Sequence, residues 1–152
     1  MTDELLEGVT LIELFPTQVV KYWNIIEFGL FEEAEPILAG DPNYLPNMLE
    51  AIIFGFLKCW FVMKGGKLAL VMLTSKVYDP SGIGRTLFIQ HMYIHKQIPI
   101  RDWKVALLSL YKYAKRENCL YISGRTYNET IVKVAEELGG KTMKLIVFDI
   151  RR

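Results

Sequence analysis

Apolar residues recur along this chain at two periods, one helical and one strand-like, and their alternation sets the expected order of elements. Residues 9–15 (VTLIELF) form a β-prone run closed by Pro16, which predicts a short first strand. Val19, Trp23, Ile26 and Leu30 then fall at spacings of four, three and four, one face of a helix over 17–33. The stretch 40–46, GDPNYLP, is turn chemistry, and its second proline, Pro46, suits the first turn of another helix. That helix carries Leu49, Ile52, Ile53 and Phe56 on its expected buried side.

Three strand-like runs follow. Residues 59–63 lead through Lys64-Gly65-Gly66, a hairpin signal, into 67–78; DPSGIG at 79–84 turns the chain again into 86–96. After Pro99, Asp102 is the expected cap of a helix ending near Glu117. Trp103, Ala106, Leu107, Leu110 and Ala114 share one face of it, with Lys115 and Arg116 at its negative end. A strand at 120–123, a helix at 128–138 and a closing strand at 142–150 complete the order. Asn128 is suited to cap that last helix, and Gly139-Gly140 to stop it. Short turns make the three-strand meander antiparallel, and the later helical crossovers add parallel pairing. The expectation is one α/β (α+β) domain over 1–152, with a mixed, mostly antiparallel central sheet and helices on both faces.

Composition narrows the function classes. Half of the 152 residues are apolar, enough to bury a core without disulfides or metal. The net charge of +1 gives no electrostatic case for nucleic acid. The most apolar region, 51–63, is broken by Lys58 and too short to span a bilayer, and the acidic start MTDELLEGV does not read as a signal peptide. Cys59 and Cys119 form no CxxC pair and read as buried, reduced thiols of a cytoplasmic protein. His91 and His95 share one strand face with Tyr93 between them. Four strand residues span about 13 Å, too far for one shared zinc, so no metal is expected.

Two short motifs then carry a family resemblance. Residues 114–119, AKRENC, are similar to the A-R-E-x-G-C helix end of the GNAT superfamily, the acyl-CoA-dependent N-acyltransferases. Asn118 stands at the family's glycine, and asparagine is the next-best residue for a left-handed cap. Asn128, Ala135 and Gly139 stand where the family has an asparagine, a tyrosine seven positions later and a glycine four beyond that. The order of elements resembles the family over nearly the whole chain. The segments KYW, LKCW and ENCLYISGR also look like short GNAT-like proteins encoded by phages.

The resemblance implies transfer of an acyl (acetyl) group from acetyl-CoA or another acyl-CoA to a small-molecule or protein amine. It implies a V-shaped opening where the backbone over 92–102 splays from its neighbour. His91 or Tyr93 would serve as the base on the amine, and a strand amide near Ile94 would meet the developing oxyanion. Lys96, Arg101 and Asp102 would surround the coenzyme pyrophosphate, with Asn128 near the pantetheine.

Two departures open an alternative. Ile98, Arg101 and Trp103 stand where the family presents Gln/Arg and two glycines, so Trp103 is expected to obstruct the phosphate loop. Ala135 replaces the tyrosine that protonates the leaving thiolate. The alternative is a non-catalytic GNAT-fold module acting through protein contacts. Tyr22, Phe28, Phe31 and Tyr44 would then line a pocket or join a second subunit in a homodimer.

Overall fold

The computed structural model describes residues 8–34, 38, 40–78 and 81–151. The N-terminal residues 1–7 and residues 79–80 of the second turn, on which expectations fell, lie outside them. Strand β1 is Val9–Glu13, and Pro16 opens helix α1, Pro16–Lys21. The single helix expected over 17–33 is two, because Tyr22 leaves helical geometry before α2, Trp23–Glu32. At the break the Tyr22 ring lies against Phe61 at 5.6 Å. The expected face survives: Val19, Ile26 and Leu30 are fully buried, and Trp23 packs at their margin.

Helix α3, Tyr44–Ile53, has Pro46 in its first turn and buries Ile52, with Leu49 packed beside it. Ile53 and Phe56 are exposed, contrary to expectation. The helix ends at Ile53 and the chain turns through Gly55 at φ +82°, which carries Phe56 off the buried face.

Strands β2 (Lys58–Lys64) and β3 (Lys67–Tyr78) form the expected hairpin around Gly65-Gly66, and β4 is Arg85–Ile94. Helix α4, Ile100–Arg116, is followed by Asn118 at φ 59°, the left-handed residue anticipated from the sequence. Its N-cap is Pro99 and not Asp102, which is the third helical residue. Strand β5 (Cys119–Gly124) and helix α5 (Glu129–Glu137) follow; Asn128 caps α5 by accepting from the Thr130 amide at 2.9 Å. Such a cap is worth about 1 kcal/mol.

The sheet order is β1-β2-β3-β4-β5, antiparallel except for β4–β5. Helices α1–α3 cover one face through Phe61, Val71 and Leu73; α4 covers the other through Trp60, Met72 and Leu87. Burial on both sides explains why β2 and β3 read as nearly unbroken apolar runs. The closing strand expected at 142–150 is not formed. These residues make no ladder and are exposed, because no strand lies alongside them and β5 remains the sheet's edge.

Helix α2 sits on β4 at one point of very close approach. A Cβ on Gly29 would lie 2.9–3.0 Å from Tyr93 Cβ, Cγ and Cδ1, atoms too near the backbone to swing away. Gly29→Ala is therefore expected to destabilise the protein by about 1–3 kcal/mol through overpacking, despite alanine's better helix propensity. Urea unfolding measures it.

Candidate functional site

The site starts from an irregularity in β4. Pairing with β3 runs from Leu70↔Ile94 to Leu73↔His91, then shifts so that Thr74 faces Ile89. Gln90 is the extra residue, a bulge that bends the strand. On the other side of β4, the parallel ladder with β5 ends at Ile89↔Gly124. The two strands part where the bulge begins. A side chain on Gly124 would meet Ile89 Cβ and carbonyl at 3.1 Å, so the last contact before the split is backbone-close.

Beyond the split, β4 has amides to offer. The His95 N–H donates to Ala69 O at 2.8 Å, so alternation turns the N–H groups of Met92 and Ile94 away from β3, toward the side β5 has left. Apolar side chains floor this region. Trp103, Ala106, Ile98 and Ile131 are buried together, with Met92, Ile94, Val134 and Leu138 packed against them.

At the head of the split lies a narrow cleft between Gln90, His91, Glu33, Tyr44, Arg125 and Tyr127. About 20 Å³ is free there, room for about one water molecule. His91 is buried, its Nε2 3.0 Å from Gly29 O. A carbonyl only accepts, so Nε2 donates. Asn128 donates from Nδ2 to Glu33 Oε1 at 3.4 Å, tying the end of α2 to the start of α5. The Arg125 guanidinium stacks over Phe88, 5.4 Å from the ring centre.

The residues anticipated from the sequence divide. His91 walls the cleft, whereas the exposed His95 lies past the end of β4 and lines no part of it. Tyr93 packs under α2, edge-on to Phe28 at 5.8 Å, and lines no part of the cleft. Ile94 offers its amide to the split, and Asn128 stands at the cleft's far wall through Glu33.

Lys96 and Arg101 are exposed at the start of α4. Asp102 turns its carboxylate to Lys64 of β2, with Arg101 Nε 4.0 Å away, so its charge is neutralised within the protein. Trp103 does not obstruct the loop as expected; helical phase after Pro99 points it into the core. Of the aromatic group, Tyr22 packs on Phe61, Tyr44 lines the cleft, and Phe28 and Phe31 are exposed. Cys59 is inert chemically, since burial pushes its thiol up to about 12.

Sequence reasoning missed Glu33 and Gln90. Glu33 follows a helix it does not stabilise by charge, and Gln90 looked like one more strand residue. Nothing local distinguishes either.

The same architecture occurs in solved structures. An aminoglycoside N-acetyltransferase in complex with CoA superposes with a TM-score of 0.66 at 16% identity, covering 95% of both chains. A ribosomal-protein-alanine N-acetyltransferase from Brucella melitensis gives 0.68 at 14% identity over 95% of this chain and 99% of its own. A GNAT family acetyltransferase from Staphylococcus aureus gives 0.64 at 15% identity over 95% and 99%. This is the GNAT fold. No protein-family model matches the chain, and no curated protein is similar to it in sequence. At these identities the GNAT likeness fixes the frame of sheet and helices, while the chemistry rests on the side chains described above. Among the described residues no helix is long and apolar enough to cross a membrane, and no His/Cys/Asp/Glu cluster could hold a metal ion.

Proposed function

We propose that this chain transfers an acyl group from an acyl-CoA, acetyl-CoA first among them, to an amine presented at the mouth of the cleft. The observation that carries the reading is the parting of β4 from β5 at the Gln90 bulge. It supplies an apolar-floored slot with outward amides, the requirements of a pantetheine arm and its thioester. The fold's solved relatives include one described in complex with CoA.

Lys96 and Arg101 suit the pyrophosphate, with the first-turn amides of Ile100 and Arg101 beside them. The Glu33 carboxylate suits the incoming amine as its ammonium form; of the two protons that nitrogen must lose to become an amide, one goes to solvent before attack and the other to the His91 imidazole as the C–N bond forms. The amine nitrogen then bonds to the thioester carbon, the C–S bond breaks, and coenzyme A leaves as the thiolate. The Ile94 N–H meets the oxyanion formed between those events. Ala135 offers no proton to the thiolate, so solvent protonates it.

Millimolar acetyl-CoA should raise the melting temperature. At one hundred times Kd the gain is about 2.7 kcal/mol, several degrees for a chain of this size. Several acyl-CoAs without any shift would remove the reading. The Arg101 side chain is 82% exposed, so solvent screens its contribution. Arg101→Ala is expected to weaken acetyl-CoA binding only a few-fold, on the order of 1 kcal/mol, in titration calorimetry.

A further inference from the structure

The cleft is too narrow to hold a whole acceptor. About 20 Å³ is free in it, so an amine nitrogen can enter at its mouth while the rest of the molecule lies outside. The surface that adjoins the mouth is on the same sheet face, beyond the area that α1–α3 cover. Alternation from Leu73 carries Val77 of β3, and Phe88 of β4 opposite Ser75, onto that face. With Tyr78, Thr86 and Tyr121 they form a shelf that leaves about 370 Å³ open, ample for an aromatic body. Gln90 borders both shelf and cleft, and Arg125 joins them, since it lines the cleft and holds its guanidinium over Phe88.

Charge limits what that body can be. Among the described residues of cleft and shelf, Glu33 is the one carboxylate, a match for a single ammonium. Two of the shelf's rings already face cations: Arg85 lies over Tyr78 at 5.6 Å and Arg125 over Phe88 at 5.4 Å. Further positive charge on the acceptor would stand near these guanidinium groups with no shelf carboxylate to offset it. The half-exposed Tyr121 has no cation over its ring among the described residues. An uncharged aromatic ring is the partner that such a surface favours. Phe88 and His91 share the face three residues apart, at most about 10 Å of strand, which the bulge at Gln90 shortens. A short alkyl arm covers that span.

We propose that the acceptor is a monoamine carried on an aromatic body. Its ring lies on the shelf against Tyr121 and Val77, and a short arm brings the amine past Gln90 to Glu33 and His91. The acceptor class rests on the acyl-transfer reading above and leaves the bond changes written there as they are. The shelf touches the body of the amine and decides which amine is taken.

Initial rates with acetyl-CoA test this on three amines: phenethylamine, butylamine, which lacks the ring, and spermidine, which replaces the ring with further charges. Phenethylamine should exceed butylamine in kcat/KM by about tenfold or more, the effect of taking a ring out of water, and spermidine should be poorer still. Tyr121→Ala should raise KM for phenethylamine about three- to tenfold and narrow its lead over butylamine. Val77→Asp, at another exposed position, gives the shelf a carboxylate and should improve spermidine relative to phenethylamine. Circular dichroism checks that both variants fold. Spermidine or butylamine matching phenethylamine in the wild type overturns the proposal and leaves acyl transfer standing, as does a folded Tyr121→Ala with unchanged KM. If acetyl-CoA raises the melting temperature and phenethylamine is not acetylated, the acceptor class alone falls. If no acyl-CoA raises the melting temperature and no amine is acetylated, the transfer reading fails and the acceptor class falls with it.

Discussion

Replacing Trp103 with alanine is expected to destabilise the protein by about 3–5 kcal/mol, the range for emptying a buried aromatic site. Trp103 is 6% exposed and shares its cluster with Val62 of β2, Leu70 of β3, Ala106 of α4 and Ile131 of α5. Four elements meet on one indole. The cavity would be hard to collapse, since strands fixed by ladders form one wall and α4 is tied down by Asp102 to Lys64. At about 2–4 °C per kcal/mol, the melting temperature should fall by roughly 6–20 °C. Trp103→Phe keeps part of the volume and should cost less than half as much. The result also separates two roles for the residue. A tryptophan that merely obstructed the phosphate loop would be nearly neutral to remove, and its loss would tighten acetyl-CoA binding. A cost below about 1 kcal/mol would mean the indole is not the junction described here.

The architecture was legible because its signals are local. Gly65-Gly66 closes a hairpin through positive φ that the missing Cβ permits, Asn118 takes the left-handed cap after α4, and Asn128 caps α5 through its side-chain oxygen. The errors fall where local pattern competes with something remote. Periodicity over 17–33 is continuous and carries no sign of the break at Tyr22, where the ring lies against Phe61 of another element. Asp102 fits a cap by residue type, since acidic residues favour helix starts, but Pro99 already sets the extended geometry there and Lys64 claims the carboxylate. The segment 142–150 has strand composition, and composition cannot supply the neighbour a strand needs.

The site was legible only in part, for a related reason. His91 was found because histidine on a strand is uncommon enough to single out, and Asn128 because it also caps a helix. Glu33 and Gln90 matter through juxtaposition. Glu33 meets Asn128 across 95 residues of sequence, and Gln90 acts by being one residue too many against β3. A bulge is a mismatch between two strands, so neither strand alone records it. The opening between β4 and β5 follows from that mismatch and not from any residue type.

His91→Gln is expected to lower kcat by about 10²–10⁴-fold while leaving stability within about 1 kcal/mol of wild type. The glutamine amide can place a donor near the position of Nε2, so the contact to Gly29 O is kept. It has no nitrogen that accepts a proton near neutral pH, so the base is lost. His91→Ala removes both functions and should cost a further ~1 kcal/mol for the lost hydrogen bond, because the Glu33 N–H still donates to Gly29 O at 3.1 Å. Comparing the two separates holding α2 in place from taking a proton. If His91 only positions the helix, the glutamine variant will be nearly as active as wild type and the alanine variant poor. If His91 is the base, both will be inactive, and KM for acetyl-CoA will change little because the ring lies on the amine's side of the split. A glutamine variant that keeps its rate would move the search for the base to Glu33, another titratable side chain of the cleft wall.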